Sequence, residues 1–319
     1  LAASDALAPL GPIEPPPEFL PREGHGALEK PYGAARALRR TSGHSGRTSA
    51  DAGFALLGAY EWEGRAFALT TELDLLPVDG LRVVRPSTVR GVALAAGQDL
   101  PVAIARSRFT PRYVERAPGV VVPDGTLEYR EVLALTGRRV NAAGVTFLET
   151  PARGLVAEGS VFLVERRSSF PSVAEGRRRW IDVSIRDQTL VAYEGTRAAY
   201  VTLVSTGQAG LADPSRSTAT VRGTFMIHAK HVTATMDGDE DRADSTSLGD
   251  VPFVQYFHRG YALHAAYWHD EFGKPRSHGC INLAPVDAAY LFEWTEPSVP
   301  PDWHGVVNKE RGTPVVIRP

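Results

Sequence analysis

The sequence predicts a mainly β fold, with a β-sandwich-like C-terminal domain preceded by one or more small SH3-like β modules. Three observations lead there. Short apolar runs separated by turn signals recur from about residue 54 to 165. From residue 180 onward, apolar and polar residues alternate with the period of a strand. Only one stretch, Pro285 to Trp294, carries a clear helical pattern.

Residues 1–50 read as a proline-rich arm. Pro9, Pro12, Pro15, Pro16, Pro17 and Pro21 crowd its start and favour extended, unpaired backbone. Thr41 to Ser49, rich in Ser, Gly and Thr, has loop composition. Residues 51–170 read as a β-rich accessory domain, with strand candidates at Phe54–Leu57, Ala66–Leu69, Val92–Leu94, Val102–Ile104, Val145–Leu148 and Val161–Val164. Asp79-Gly80 and Asp124-Gly125 are turn dipeptides within it. Ser168 to Gly176 marks a boundary, and residues 177–319 form the last domain. There Ile181, Val183 and Ile185 alternate with Asp182 and Ser184. Turns at Arg186-Asp187-Gln188 and Glu194-Gly195 then return the chain twice, as an antiparallel sheet requires. Pro285 suits a first helical turn, and Val286, Ala289, Tyr290 and Glu293 share one helix face. Pro314 to Ile317 reads as a closing strand.

Composition narrows the function. Hydrophobic residues make up 43% and charged ones 23% of 319, enough for a sizeable core. A net charge of −2 gives no global attraction to nucleic acid, and no apolar run reaches membrane-spanning length. The single cysteine excludes an intramolecular disulfide and a four-cysteine zinc site.

That cysteine lies in Ser277-His278-Gly279-Cys280-Ile281-Asn282. A thiol attacks carbonyls as thiolate, and a nearby imidazole can take its proton. Glycine before the nucleophile lets substrate approach the backbone, and consecutive N–H groups there can bind an oxyanion. Gly260-Tyr261-Ala262-Leu263-His264 reads as a strand entering the same site. The linker 265–276 contains Asp270, Gly273 and Pro275 and can loop back, so His264 can meet Cys280.

These residues resemble the signature of the L,D-transpeptidases, the YkuD or ErfK family: a His, a loop of a dozen or more residues, then Ser/Thr-His-Gly-Cys, a hydrophobic residue, and Asn or Arg. The match comprises His264, Ser277, His278, Gly279, Cys280, Ile281 and Asn282. Gly223-Thr224-Phe225 resembles the family's Gly-x-Phe strand, although Val221-Arg222 replaces its usual Thr-Pro. Val251-Pro252-Phe253, Phe257 and Gly260 resemble its approach to the histidine. The resemblance covers about 180–319 and leaves the role of residues 1–170 open.

The resemblance implies Cys280 as nucleophile and His264 as base, with the carbonyl of Ala265 orienting the ring. His278 would shape the turn and bind substrate, and Ser277 would hydrogen-bond within the site. The N–H groups of His278, Gly279 and Cys280 would supply the oxyanion hole, and Asn282 would stabilise the turn. Tyr256, His258, Ala265, Trp268 and Asn282 are the substrate-binding candidates. The reaction implied transfers an acyl group from a peptidoglycan tetrapeptide stem to an amine, releasing terminal D-Ala. The acceptor would be another stem, a lipoprotein lysine or a D-amino acid. Neither cofactor nor metal is implied. The location implied is the periplasm or cell envelope, with any export signal absent from a chain that begins at Leu1. A carboxypeptidase-type hydrolase using the same Cys-His machinery, and a non-catalytic wall-binding protein, are the rival readings.

Other motifs take blander readings. Six histidines fall between 228 and 278, but no helical His-Glu-x-x-His accompanies them. Asp237, Asp239 and Asp241 begin like a calcium loop, yet Arg242 and Leu248 stand where Gly and Glu are needed. Asp237 to Asp250 reads instead as a polar flap over the cleft.

Overall fold

The computed structural model describes residues 54–319 apart from 55, 63, 71–74, 82–86, 177, 237–247 and 302. The proline-rich arm and the Asp237–Asp241 motif lie outside the described residues, as does the flap except for residues 248–250. The chain divides into two compact units, residues 1–85 with 233–251 and residues 86–232 with 252–319. In the first, Leu56–Trp62, Arg65–Thr70 and Leu75–Pro77 form an antiparallel three-stranded sheet.

The second unit begins with two small sheets. One has five strands in the order Val120–Leu127, Thr110–Ala117, Gly154–Ala157, Val145–Glu149 and Arg139–Ala142. The other places Val102–Ala105 between Val161–Val164 and Val132–Ala134. Asp124-Gly125 is not the turn expected of it but lies inside Val120–Leu127. Its ladder with Thr110–Ala117 shifts register between Pro111 and Tyr113, and Gly125 takes φ +91°. The hairpin instead turns at Pro118-Gly119, where Gly119 has φ +75°.

The remaining strands are β1 (Arg179–Ser184), β2 (Thr189–Glu194), β3 (Arg197–Leu203), β4 (Gly223–Met226), β5 (Ala229–Met236), β6 (Leu248–His258), β7 (Tyr261–Ala265), β8 (Ile281–Leu283), β9 (Gly305–Val307) and β10 (Pro314–Arg318). They build a six-stranded sheet, β4-β10-β1-β2-β3 plus Val92–Ala93, and a five-stranded sheet, β8-β7-β6-β5-β9. β1, β2 and β3 pair antiparallel in sequence order, as their turn signals predict. β10 inserts between β4 and β1, second from the edge of its sheet, parallel to β1 and antiparallel to β4.

Alternation sorts the side chains onto two faces. Ile181, Val183, Leu190, Ala192, Val315 and Ile317 pack with Leu263, Ala265, Ile281 and Leu283 in the core of the sandwich. The opposite residues Trp180, Val191, Tyr193, Val201 and Leu203 are buried too, with Leu100, Val102, Ile104, Phe162 and Val164 of the preceding module. Burial on both faces explains why β2 reads as a nearly continuous apolar run.

The helix α1 spans Pro285–Trp294, the range expected. Its core face is Ala288, Leu291 and Trp294, while Val286 is 54% exposed on the outward face that carries Glu293. Asp287 also turns inward, because donors await it. It accepts hydrogen bonds from the Gly91 N–H at 2.8 Å, the Tyr200 hydroxyl at 2.7 Å and the Thr202 hydroxyl. Among the described residues no helix is long and apolar enough to cross a membrane.

Candidate active site

β7 and β8 run parallel, with Leu263 opposite Ile281 and His264 opposite Asn282. Leu263, Ala265, Ile281 and Leu283 point into the core. Their neighbours Ala262, His264 and Asn282 therefore share the other face. Tyr256, opposite Ala262, joins them from β6. Cys280 itself lies in the bend that leads into β8.

Hydrogen bonding fixes the tautomer of His264. Its Nδ1 lies 3.0 Å from the Ala265 carbonyl and donates to it, which leaves Nε2 as the basic nitrogen. The ring is 3% exposed and packs 5.8 Å from Trp268. Burial pushes its pKa down to about 4; the Ala265 carbonyl opposes that shift and nearby His269 adds to it. Cys280 is half-buried, and its Sγ lies 3.7 Å from the Gly260 carbonyl. Desolvation pushes the thiol up to about 11 against the opposing effect of the Ala262 N–H. At neutral pH the resting site therefore holds a neutral thiol and a neutral imidazole, not hydrogen-bonded to each other. The phenols of Tyr256 and Tyr261 are raised first by burial and then by charge on Cys280.

The loop before the cysteine is closed by its own side chains. The Ser277 hydroxyl donates to the Cys280 carbonyl and accepts from the Gly279 N–H at 3.1 Å. The Gly279 N–H, one of the three expected to face an oxyanion, is thus committed within the loop. Gly279 contributes shape instead. Its φ is +128°, and a Cβ there would lie 2.7 Å from the Tyr261 ring. The Thr220 hydroxyl donates to the Gly279 carbonyl at 2.8 Å and accepts from the Gly207 N–H at 2.9 Å. The Arg276 and Ser277 N–H groups donate to the Thr206 carbonyl. The side chain of buried Gln188 accepts from the Thr206 N–H at 2.9 Å, holding that segment in place. Thr220→Val keeps the volume but leaves a buried N–H and a carbonyl unpaired. We expect a loss of about 1–3 kcal/mol, read as a lowered urea midpoint, together with slower Cys280 acylation.

The other expected site residues divide. His278 is exposed at the mouth, and His258 is half-buried with its ring 4.9 Å from Phe225 and 6.2 Å from Tyr261. Ala265 is fully buried and offers only its carbonyl. Trp268 packs against the buried core behind His264. Asn282 is neither a turn residue nor exposed to substrate. It is a strand residue, 2% exposed, bonded through its backbone to Ser205 and through its side chain to His269 at 3.1 Å. Its place in β8 follows from pairing with β7, which a six-residue motif cannot reveal. Sequence reasoning missed the parts played by His269 and Thr220. A histidine five residues past the base offers no periodic signal, and Thr220 lies 60 positions from the cysteine.

Residues 178–317 match the family model of the L,D-transpeptidase catalytic domain, YkuD. YciB of Bacillus subtilis (strain 168), provisionally named an L,D-transpeptidase, is 25% identical over 150 residues, covering 39% of this chain and 64% of that protein. A crystallised L,D-transpeptidase mutant of Enterococcus faecium is 22% identical, covering 49% of this chain and 55% of its own, with a TM-score of 0.35. An L,D-transpeptidase from Mycobacterium smegmatis is 18% identical, covering 86% and 98%, also with a TM-score of 0.35. This chain thus spans less than two thirds of the Bacillus and Enterococcus proteins. Residues 178–317, which hold the motif beside a parallel strand pair and nearly all of the β-sandwich apart from Val92–Ala93, are thus matched as an L,D-transpeptidase (YkuD) catalytic domain.

Proposed function

We propose that the protein is a peptidoglycan L,D-transpeptidase of the cell envelope, working by two-step acyl transfer on Cys280. One observation carries the reading: His264 lies on β7 and Cys280 immediately before β8, its parallel partner, with the imidazole Nδ1 tied to the Ala265 carbonyl and Nε2 left basic.

In the first step His264 Nε2 takes the thiol proton as Sγ attacks the carbonyl of the third residue of a donor tetrapeptide stem. The N–H groups of His278 and Cys280 stabilise the resulting oxyanion. The C–N bond breaks, and D-Ala leaves with the proton held by His264. In the second step an acceptor amine attacks the thioester and gives its proton to His264, and the thiol is restored as the C–S bond breaks. The acceptor is a stem side-chain amine, a lipoprotein lysine or a D-amino acid. Tyr256, Tyr261, His258 and His278 are the groups around the sulfur that line its approach.

Incubating the protein with a defined tetrapeptide and an excess of a D-amino acid tests this directly. The expected products are a thioester adduct on the protein and an exchanged peptide, both seen by mass. Trimmed tripeptide alone would mean that water is the acceptor and the protein a hydrolase.

A further inference from the structure

Arg130 lies in the turn between Val120–Leu127 and Val132–Ala134, in the module that precedes the matched domain. Its backbone adopts φ +63°, and it is only 9% exposed. The guanidinium sits 4.7 Å over the Tyr129 ring and 5.0 Å over the Phe162 ring. Its Nη2 donates to the carbonyl of Phe272 at 2.6 Å, while Nε and Nη1 are buried with no partner. A buried cation with idle N–H groups is costly, and an apolar chain of equal length would fit between two rings at least as well. A residue that breaks a packing rule in this way points to what its satisfied contact achieves.

That contact reaches the loop behind the base. The Phe272 ring packs at a tilt 4.8 Å from His269, whose Nδ1 accepts from the Glu271 N–H at 3.2 Å. His269 Nε2 meets the Asn282 side chain at 3.1 Å, and Asn282 is the strand partner of His264. Two further contacts hold the same loop from the N-terminal side. The Ser87 hydroxyl bonds the Asp270 carboxylate. Gly273, at φ +96°, lies so close beneath Phe162 that a Cβ would come within 2.4 Å of the ring.

We propose that Arg130 is a positioning residue for acyl transfer. Through the Phe272 carbonyl it holds the loop 266–276 so that His269 stays on Asn282, beside His264. The preceding β module is then part of the active-site architecture. This rests on the acyl-transfer reading given above.

The test follows acylation of the full chain by a carbapenem with intact-mass spectrometry, beside thermal melting. Arg130→Met is expected to slow acylation about tenfold or more, as misplaced catalytic groups do, with the melting temperature unchanged or raised. Arg130→Lys, which can still reach the carbonyl, is expected to restore most of the rate. Arg130→Met combined with His269→Ala should be no slower than the worse single variant, because both act on one contact. A wild-type rate in Arg130→Met would overturn the proposal, as would a rate that falls only in step with stability. Multiplied losses in the double variant would overturn it too, as would a lysine variant as slow as the methionine one. If Arg130→Met does not fold, the lysine variant and His269→Ala paired with it decide. No uptake by the wild type would instead remove the acyl-transfer reading, and this inference with it.

Discussion

Cys280→Ala is expected to abolish covalent capture of a carbapenem, which acts as a mimic of the acyl donor. The wild type should gain one adduct mass, and the variant should gain none over times about a thousandfold longer, because no other thiol is present to replace the nucleophile. The substitution should fold normally. The residue is half-buried, its thiol is neutral at rest, and its sulfur makes only weak contacts, among them one of 3.7 Å with the Gly260 carbonyl. A loss of labelling with an unchanged melting curve therefore reports chemistry and not collapse. Equal labelling of both proteins would assign the nucleophile elsewhere.

His264→Gln should slow acylation by about 10²- to 10⁴-fold, the usual range for removing a positioned general base. The pH profile sharpens this. The imidazole accepts a proton only when neutral, and burial holds its pKa near 4, so the wild-type rate should fall only as pH drops through that value. With the thiol pushed up to about 11, the rate should stay level between those limits. A rate climbing about tenfold per unit from pH 6 to 9 would make free thiolate the attacking species and sink the neutral-pair description.

The same ring links stability to pH. Unfolded histidine titrates near 6.5, so between about pH 6.5 and 4 the unfolded chain binds more protons than the folded one. Stability should therefore decline as pH falls through that window, by on the order of 3 kcal/mol at most, and should not depend on this group above it. His264→Gln should remove that share of the decline, measured as urea midpoints at pH 7 and pH 4.5. An identical decline in wild type and variant would place the titrating group elsewhere.

Much of this protein was legible in one dimension. Alternation in β1, β2 and β3 with intervening turn residues specifies a meander because strand side chains repeat every two positions. Proline at the first turn and an apolar run with no strand alternation gave α1 its limits. Ser277 to Asn282 pointed to acyl-transfer chemistry only together with His264, upstream of the cysteine, because a thiol needs a base to take its proton.

Tertiary structure decided the rest. Which N–H groups remain free beside Cys280 depends on the folded position of the Ser277 hydroxyl, which takes the Gly279 N–H. Asn282 lies on the same face as its strand partner His264 but is buried there, because the loop 266–276 brings His269 onto its side chain. Asp287, on the core face of α1 with Leu291 and Trp294, could stay there as a buried carboxylate because Gly91, Tyr200 and Thr202, far away in sequence, present donors. Arg130 gained its contact with Phe272 across 142 positions. Local patterns reflect the backbone period, whereas hydrogen-bond partners and burial arise only when distant strands meet, and that meeting sets the working state of His264 and Cys280.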